Sequence, residues 1–475
     1  MSINVETPSA ETVANSFWSI VRESFVGTSR DFTKGSIPVA LIILAIPMIL
    51  EMSMESLFAI IDTFFVSKLG ADSIAVVGLT ESILVLAYAV GIGLSIGATA
   101  TVARRVGEQN LEGAARTATH VVFLGIAVAV VMGVPGFILA PQLFRLLGAE
   151  SHVIELGTPF MQIMLGTNIV IVFLFLLNGI FRGAGDAAIA LRVLIIANGL
   201  NILFCPLFIF GIRPFPELGV TGAAVATVCG RGAGVAYAVW ALFIRENGRL
   251  NVKREHWKFD PKLLWSLVSL SATAVLQFLI ATLSWTGLVM ILAGFGTVAL
   301  AGYQIGLRVI MFVLLPAVGL ANAAATLVGQ NLGAGQPERA ERSVWTAGIL
   351  NAVLLGVAGA FFVFFSGAVI GVLTQEPEVA AFGRDCLRIV GYGYAFYGLG
   401  MVMESSFNGA GDTWTPTYLN LIVFWIIEIP MAYVLSTRLG WGPQGVFWAI
   451  TISFSILAIS SALLFKRGKW KLKTD

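Results

Sequence analysis

The sequence predicts an all-α integral membrane protein of twelve transmembrane helices, built as two six-helix lobes related by an internal parallel repeat. Three observations predict it. Of 475 residues, 57% are hydrophobic and only 12% charged, with mean hydropathy +0.88, about half the charge with which a water-soluble globule covers itself. Twelve apolar runs near the length of about 20 residues that crosses a hydrocarbon core are centred near residues 50, 88, 128, 168, 200, 230, 278, 315, 355, 396, 426 and 455. The two halves also repeat at one constant offset without a gap. FRGAGD begins at Phe181 and FNGAGD at Phe407, 226 positions later, and the same offset pairs Gly70 with Gly296, Gly107 with Gly333, Glu112 with Glu338, Arg116 with Arg342, and Gly219-Val220 with Gly445-Val446. Six is an even number of spans, so both copies enter the membrane from the same side. Transporters with such repeats bind cargo between halves that rock against each other.

In chain order, residues 1–35 form an N-terminal segment with no long apolar region behind a basic one, so the first span is the anchor rather than a cleaved leader. Within it SFWSIVRESF sets Phe17, Trp18, Val21 and Phe25 on one helical face, the pattern of an interfacial helix; a disordered tail is the alternative. Residues 36–244 are the first lobe. Residues 245–262, RENGRLNVKREHWKFDPK, are the longest polar connection and read as a linker. Residues 263–466 are the second lobe and 467–475 a basic tail. With both termini cytoplasmic, 21 of the 29 Lys and Arg fall inside, 6 outside, and Arg231 and Arg308 within spans. The positive-inside rule therefore predicts that orientation in the cell's inner membrane.

Several function classes are excluded. A net charge of +2 leaves no basic surplus for nucleic acid. Cys205, Cys229 and Cys386 are scattered through apolar runs and make neither a disulfide framework nor a metal pair. No phosphate-cradling G-x-x-x-x-G-K-[ST] occurs, so neither ATP nor a resident cofactor is expected, and an ion gradient is the expected source of energy. Gly93-x-x-x-Gly97 is small-residue helix packing. GAGD at Gly183–Asp186 and Gly409–Asp412 ends a helix on a left-handed glycine, with the Asp free to cap the next. The loops hold no nucleophile or acid/base constellation, so the chain is not read as an enzyme.

The informative signal is acid inside the spans. Glu51, Glu55 and Asp62 are spaced by four and seven residues, which at 100° per residue places all three carboxylates on one face of the first span. An ionised carboxylate costs about 2.5–3.5 kcal/mol at a helix centre, so this stripe faces the interior, where it binds a proton or cation or is held by partners such as Arg231. The stripe is one-sided, since its repeat mates are Gln277, Ala281 and Leu288. Asn198, Asn201 and Cys205 share a face of the fifth span, opposite the apolar mates Phe424, Ile427 and Met431. Asn178 in span four has Glu404 as its mate in span ten. Glu81 and Glu428 read as solvated or structural acids near span ends, and His120 as a solvated interfacial residue. Met48, Met52, Met54, Met401 and Met403 either line a soft pocket or pack the core.

The stretches AIIDTFFVSKLG, ARRVGE, LLNGIFRGAGD, NGLNILFCPLFIFG, GVTGAAVAT and GYQIGLRV together resemble the multidrug and toxic compound extrusion (MATE) transporters over roughly residues 30–465. The resemblance implies a monomeric antiporter that exports organic, often cationic, small molecules across the lipid bilayer in exchange for H⁺ or Na⁺. It also implies an ion site at Asp62, Asn201, Cys205 and Thr227, with Asp62, Asn201 and Thr227 as metal ligands if the ion is Na⁺. Cys205 departs from the family's carboxylate there, and a thiol is a poor ligand for a hard ion. Glu51, Glu55 and Asn178 are the candidates to complete or tune the site. Gln277, Tyr303, Gln304, Tyr397, Met401 and Glu404 are the candidate cargo-binding residues. A flippase for lipid-linked precursors is the rival transporter, and it calls for a more basic interior than this one.

Overall fold

The computed structural model describes residues 10–28, 30–245 and 248–472, without the side chains of residues 10–17 and Ala59. A short helix, α1 (Ala10–Val26), precedes the bundle. The first half contains α2 (Ile37–Ser67), α3 (Ala71–Gly107), α4 (Leu111–Leu146), α5 (Ser151–Gly166), α6 (Ile169–Ala184), α7 (Ala187–Phe210) and α8 (Val220–Phe243). The second contains α9 (Pro261–Ala293), α10 (Thr297–Gly333), α11 (Pro337–Leu373), α12 (Pro377–Gly409), α13 (Trp414–Asn420), α14 (Ile429–Tyr433) and α15 (Pro443–Lys466). No strand occurs among the described residues.

Twelve spans result. The fourth is α5 and α6 together, broken at Thr167 and Asn168, and the eleventh runs from Trp414 to Arg438 with wide π turns at Leu421–Glu428 and Val434–Arg438 around α14. Eleven of the twelve are long and apolar enough to cross a membrane by composition alone. The exception is α12, which carries Glu378, Arg384, Asp385, Arg388 and Glu404 yet packs between α10, α11 and α15.

The repeat is visible in the backbone. Gly70 before α3 and Gly296 before α10 take φ of +98° and +97°, a region open mainly to glycine. Gly185 and Gly411 of the two GAGD motifs take +81° and +82°. Asp186, however, makes no cap. It is buried beside Arg245, Arg192 and Arg249, whose charges oppose the upward push of burial on its carboxyl. Helix starts are otherwise fixed locally, by Asn110 accepting from the Gly113 amide at 2.7 Å and by Asp260 accepting from Lys262 and Leu263.

The apolar core falls into clusters within each half, such as Leu94, Val172 and Leu176 in the first and Ile310, Leu387 and Phe447 in the second. One further cluster crosses between halves. In it Leu41, Leu44 and Met48 of α2 pack on Leu320, Ala324 and Leu327 of α10. This crossing lies at the end of the bundle where α2 begins and α15 ends, the terminal face. There a Cβ on Gly107 would fall against the Gln330 carbonyl, and one on Gly333 against the Arg104 carbonyl, so the two backbones touch. Thr326 donates to the Arg182 carbonyl at 3.2 Å and Gln330 to the Gly183 carbonyl at 3.0 Å. Gly93 and Gly97 of α3 meet Ser271 and Val275 of α9, which explains that small-residue pair. The hydrogen bonds that Thr326, Gln330 and Arg339 make between the halves, and the one that ties the linker to His120, lie near this face.

One surface expectation is corrected. His120 is fully buried, its Nδ1 facing the Arg116 carbonyl at 2.8 Å while Nε2 accepts from the Asp260 amide at 2.8 Å. It ties the linker to α4. The N-terminal stripe does form a helix, with Trp18 and Phe25 exposed and Arg192 donating to the carbonyls of Phe25 and Val26; the Phe17 side chain lies outside the described residues.

Candidate ion and cargo site

The three acids of α2 meet three different fates. Glu51 is buried, and its Oε1 accepts from Asn178 Nδ2 at 3.0 Å and Arg182 Nη1 at 3.5 Å. Arg182 Nη2 also donates to Ser95 Oγ at 2.6 Å. Glu55 Oε1 accepts from Arg231 Nη2 at 3.0 Å, while Arg231 Nη1 donates to the Tyr88 hydroxyl and its guanidinium lies 4.2 Å from the Phe58 ring centre. Buried charges are tolerated when paired and hydrogen-bonded in this way. Asp62, half-buried, is different: its Oδ1 has no hydrogen-bond partner among the described residues, as is also true of Glu51 Oε2, but no arginine among them pairs with it as Arg182 and Arg231 pair with Glu51 and Glu55. The charged groups acting on it are Glu81 and Arg231, and its own field reaches the Cys205 thiol.

Beside Asp62 the predicted cluster on α7 and α8 is assembled. Asn201 Nδ2 donates to Thr227 Oγ1 at 3.3 Å and the Cys205 thiol to Asn201 Oδ1 at 3.7 Å, all three residues buried. Asn198 instead donates to the Met54 carbonyl at 2.6 Å, bracing α7 against α2. Asp62, Asn201 and Thr227 offer oxygens, whereas Cys205 offers a soft, protonated sulfur. Among the described residues no group of three or more His, Cys, Asp or Glu is arranged to hold a metal ion.

The second half has its own polar interior. Glu428 is almost fully buried, correcting its assignment to a span end, and its Oε2 accepts from Ser284 Oγ at 3.1 Å while Oε1 has no partner. Glu404 Oε1 is likewise unpartnered, with Asn420 beside it. Tyr397 stacks on Phe454 at 3.8 Å and lies within reach of Glu404, Glu428 and Tyr303. Tyr303 is buried with its hydroxyl unpaired, inside the lobe rather than on an open surface. Gln277 is buried with Oε1 unpaired, and Met401 packs on clusters of both kinds. Gln304 is exposed and stands apart. Glu81 is exposed, as the sequence suggested.

Sequence reasoning missed Arg182, Tyr88 and Ser95. Arg182 was counted among loop cations because it stands three residues before the helix-ending Gly185, yet its long side chain reaches back along α6 into the interior. The available signal was the repeat: Arg182 replaces Asn408 at the one position where FRGAGD and FNGAGD differ.

A duplicated helical bundle, sealed at one face, with paired charges inside one half and unpaired acids inside both, is the architecture of a polytopic membrane transporter. The MatE family model matches residues 47–207 and again 273–434, two stretches that begin 226 residues apart, and the chain belongs to that family. A probable multidrug resistance protein NorM of Thermotoga maritima is 27% identical over 439 residues, 91% of this chain and 92% of that one. A FAD transporter of Shewanella oneidensis is 24% identical, covering 86% and 90%. The solved outward-facing structure of a multidrug resistance MATE family transporter superposes with a TM-score of 0.87 at 25% identity, covering 94% of this chain and 98% of the other.

Proposed function

We propose that this protein exports organic, cationic or amphipathic small molecules across the cell's inner membrane, driven by inward flow of protons and acting as a single chain. The observation that carries the reading is the isolation of Asp62. Glu51 and Glu55 are balanced by Arg182 and Arg231, whereas Asp62 forms no such ion pair among the described residues and has a buried Oδ1 without a donor, and in a low-dielectric interior such a group takes up a proton or a cation. The Lys and Arg distribution supports cytoplasmic termini, so closure of the terminal face is the outward-facing state. There Asp62 takes a proton from outside, its charge is cancelled, cargo leaves, and the lobes rock inward, where the proton is lost and new cargo enters.

Protons are favoured over Na⁺ by the donor set. Na⁺ wants several hard oxygens, and here Cys205 stands where a further carboxylate would complete them, while Thr227 and Asn201 already bond each other. Cationic cargo is supported by the unpaired acids Glu404 and Glu428. An anionic cargo, as in the FAD-transporting relative, is expected to need cations facing the cargo, and the interior arginines are committed to Glu51 and Glu55.

The test is efflux of a fluorescent cation from proteoliposomes with a pH or a Na⁺ gradient imposed separately. Drive by the pH gradient alone, lost in Asp62→Asn, supports the reading. Drive by Na⁺ alone, or full activity of Asp62→Asn, refutes it.

A further inference from the structure

Two crevices on the terminal face are repeat mates. One, of about 710 Å³, lies between the start of α2 and the start of α11, against Ile37, Arg339 and Arg342. The other, of about 390 Å³, lies between the starts of α9 and α4, against Leu263, Gly113 and Arg116. Each of these three pairs is 226 residues apart. Both crevices therefore sit on a seam between the lobes, with one arginine kept at the same place in each.

They differ in what forms the outer wall. In the smaller crevice the linker covers it: Trp257 packs edge-on to Phe123 at 5.2 Å, and Phe259 lies over His120. In the larger one the mate of Phe123 is Ile349, which is 61% exposed and begins an apolar line continued by Val353 and Val357 along α11. Spacing of four residues puts the three on one face. The larger crevice thus opens sideways onto the surface that faces the bilayer, and Trp345, of a residue type that favours headgroup depth, lines it.

Its charge is basic once internal pairs are removed. Glu341 is taken by Lys471, leaving Arg339, Arg342 and Glu338. Arg339 spends both terminal nitrogens on the carbonyls of Phe32, Lys34 and Gly35, and its buried Nε has no acceptor. Arg342 is exposed and makes no side-chain bond among the described residues.

We infer that the crevice between α2 and α11 binds one anionic phospholipid of the terminal-side leaflet, its phosphate at Arg342 and Arg339 and one acyl chain along Ile349, Val353 and Val357. The smaller crevice, walled off by the linker, takes no lipid. Because the lipid bridges α2 of one lobe and α11 of the other, it favours the state in which the terminal face is closed.

Native mass spectrometry of the full chain in detergent tests this, with titration by phosphatidylglycerol, by phosphatidylcholine of the same chains, and by soluble glycerol 3-phosphate. One retained phosphatidylglycerol per chain is expected, held about fivefold more weakly after Arg342→Gln, from roughly one favourable cation contact at a membrane surface. Arg116→Gln, its repeat mate, is expected to retain the lipid unchanged. Ile349→Gln, which leaves every charge in place, is expected to weaken it as well. Wild-type retention by Arg342→Gln, equal loss in Arg116→Gln, equal binding of phosphatidylcholine, or equal binding of glycerol 3-phosphate overturns the assignment.

Discussion

At repeat-equivalent positions the first lobe holds Glu51, Asn178 and Arg182, and the second holds Gln277, Glu404 and Asn408. The triangle is the same, but the acid has moved from one helix to another and the cation is gone. In the first lobe the carboxylate is answered by an amide and a guanidinium. In the second, no cation stands among Gln277, Glu404 and Asn408; each keeps a buried oxygen without a partner, as Glu51 Oε2 and Asn178 Oδ1 also do, but Glu404 has no guanidinium among the described residues to answer its charge. The same contrast holds further along, where Glu55 and Arg231 face each other in one lobe and their mates Ala281 and Leu457 are apolar. Duplication supplied one scaffold twice. Substitution then made one copy electrostatically closed apart from Asp62, and left the other with acids open to a cation.

The comparison breaks most visibly at Asp62. Asp62→Asn is expected to reduce gradient-driven efflux to the background of empty liposomes while the purified protein keeps its helix content by circular dichroism, since the lost charge has no partner in the fold. Next in size is Arg231→Leu, which installs the second lobe's residue and strands Glu55. Breaking a buried pair costs about 3 kcal/mol or more, so the thermal transition in detergent is expected to fall by many degrees. Adding Glu55→Ala, to complete the second lobe's pair, is expected to recover most of that loss; no recovery would mean that Arg231 matters through Tyr88 and Phe58 instead. Glu404→Gln should lower uptake of a monovalent cationic dye severalfold but leave the response to a pH gradient intact. A loss of pH response there would move the coupling site into the second lobe. The smallest effect belongs to His120→Leu, which removes the acceptor for one linker amide and is expected to cost about 1 kcal/mol with transport near wild type.

Much of this was legible in the sequence. The constant offset, the twelve spans and the common face of Glu51, Glu55 and Asp62 follow from periodicity, and periodicity survives folding because helices keep their 100° step. The repeat even recovers α12, whose charges lower its hydropathy below that of its neighbours. What periodicity does not carry is how far a side chain travels from its own backbone. Arg182 stands at a helix end and works in the interior, and Glu428, two residues from the centre of its run near 426, is a mid-span acid whose face, though not its depth, depends on the irregular turns of the eleventh span. Its π turns shift the register within Leu421–Glu428, turning that carboxyl inward towards Ser284. The burial of His120 depends on the linker folding back over α4, a tertiary event with no local trace.

The contact of bare backbones at Gly107 and Gly333 bears on the work that a gradient must do. At these two points the seam is joined by van der Waals approach of glycine backbones, flanked by hydrogen bonds from Thr326 and Gln330 to carbonyls of the other lobe. One proton moving down a gradient of one pH unit releases about 1.4 kcal/mol. Bare backbone ridges that part at a glycine strand no side chain there, which keeps the share of the gating cost that falls on these two contacts within so small a supply. The glycines thus act as the lubricant of the cycle, and an alanine at either one is expected to stall it by prising the gate ajar, visible as a longer distance across the seam between spin labels on the two lobes.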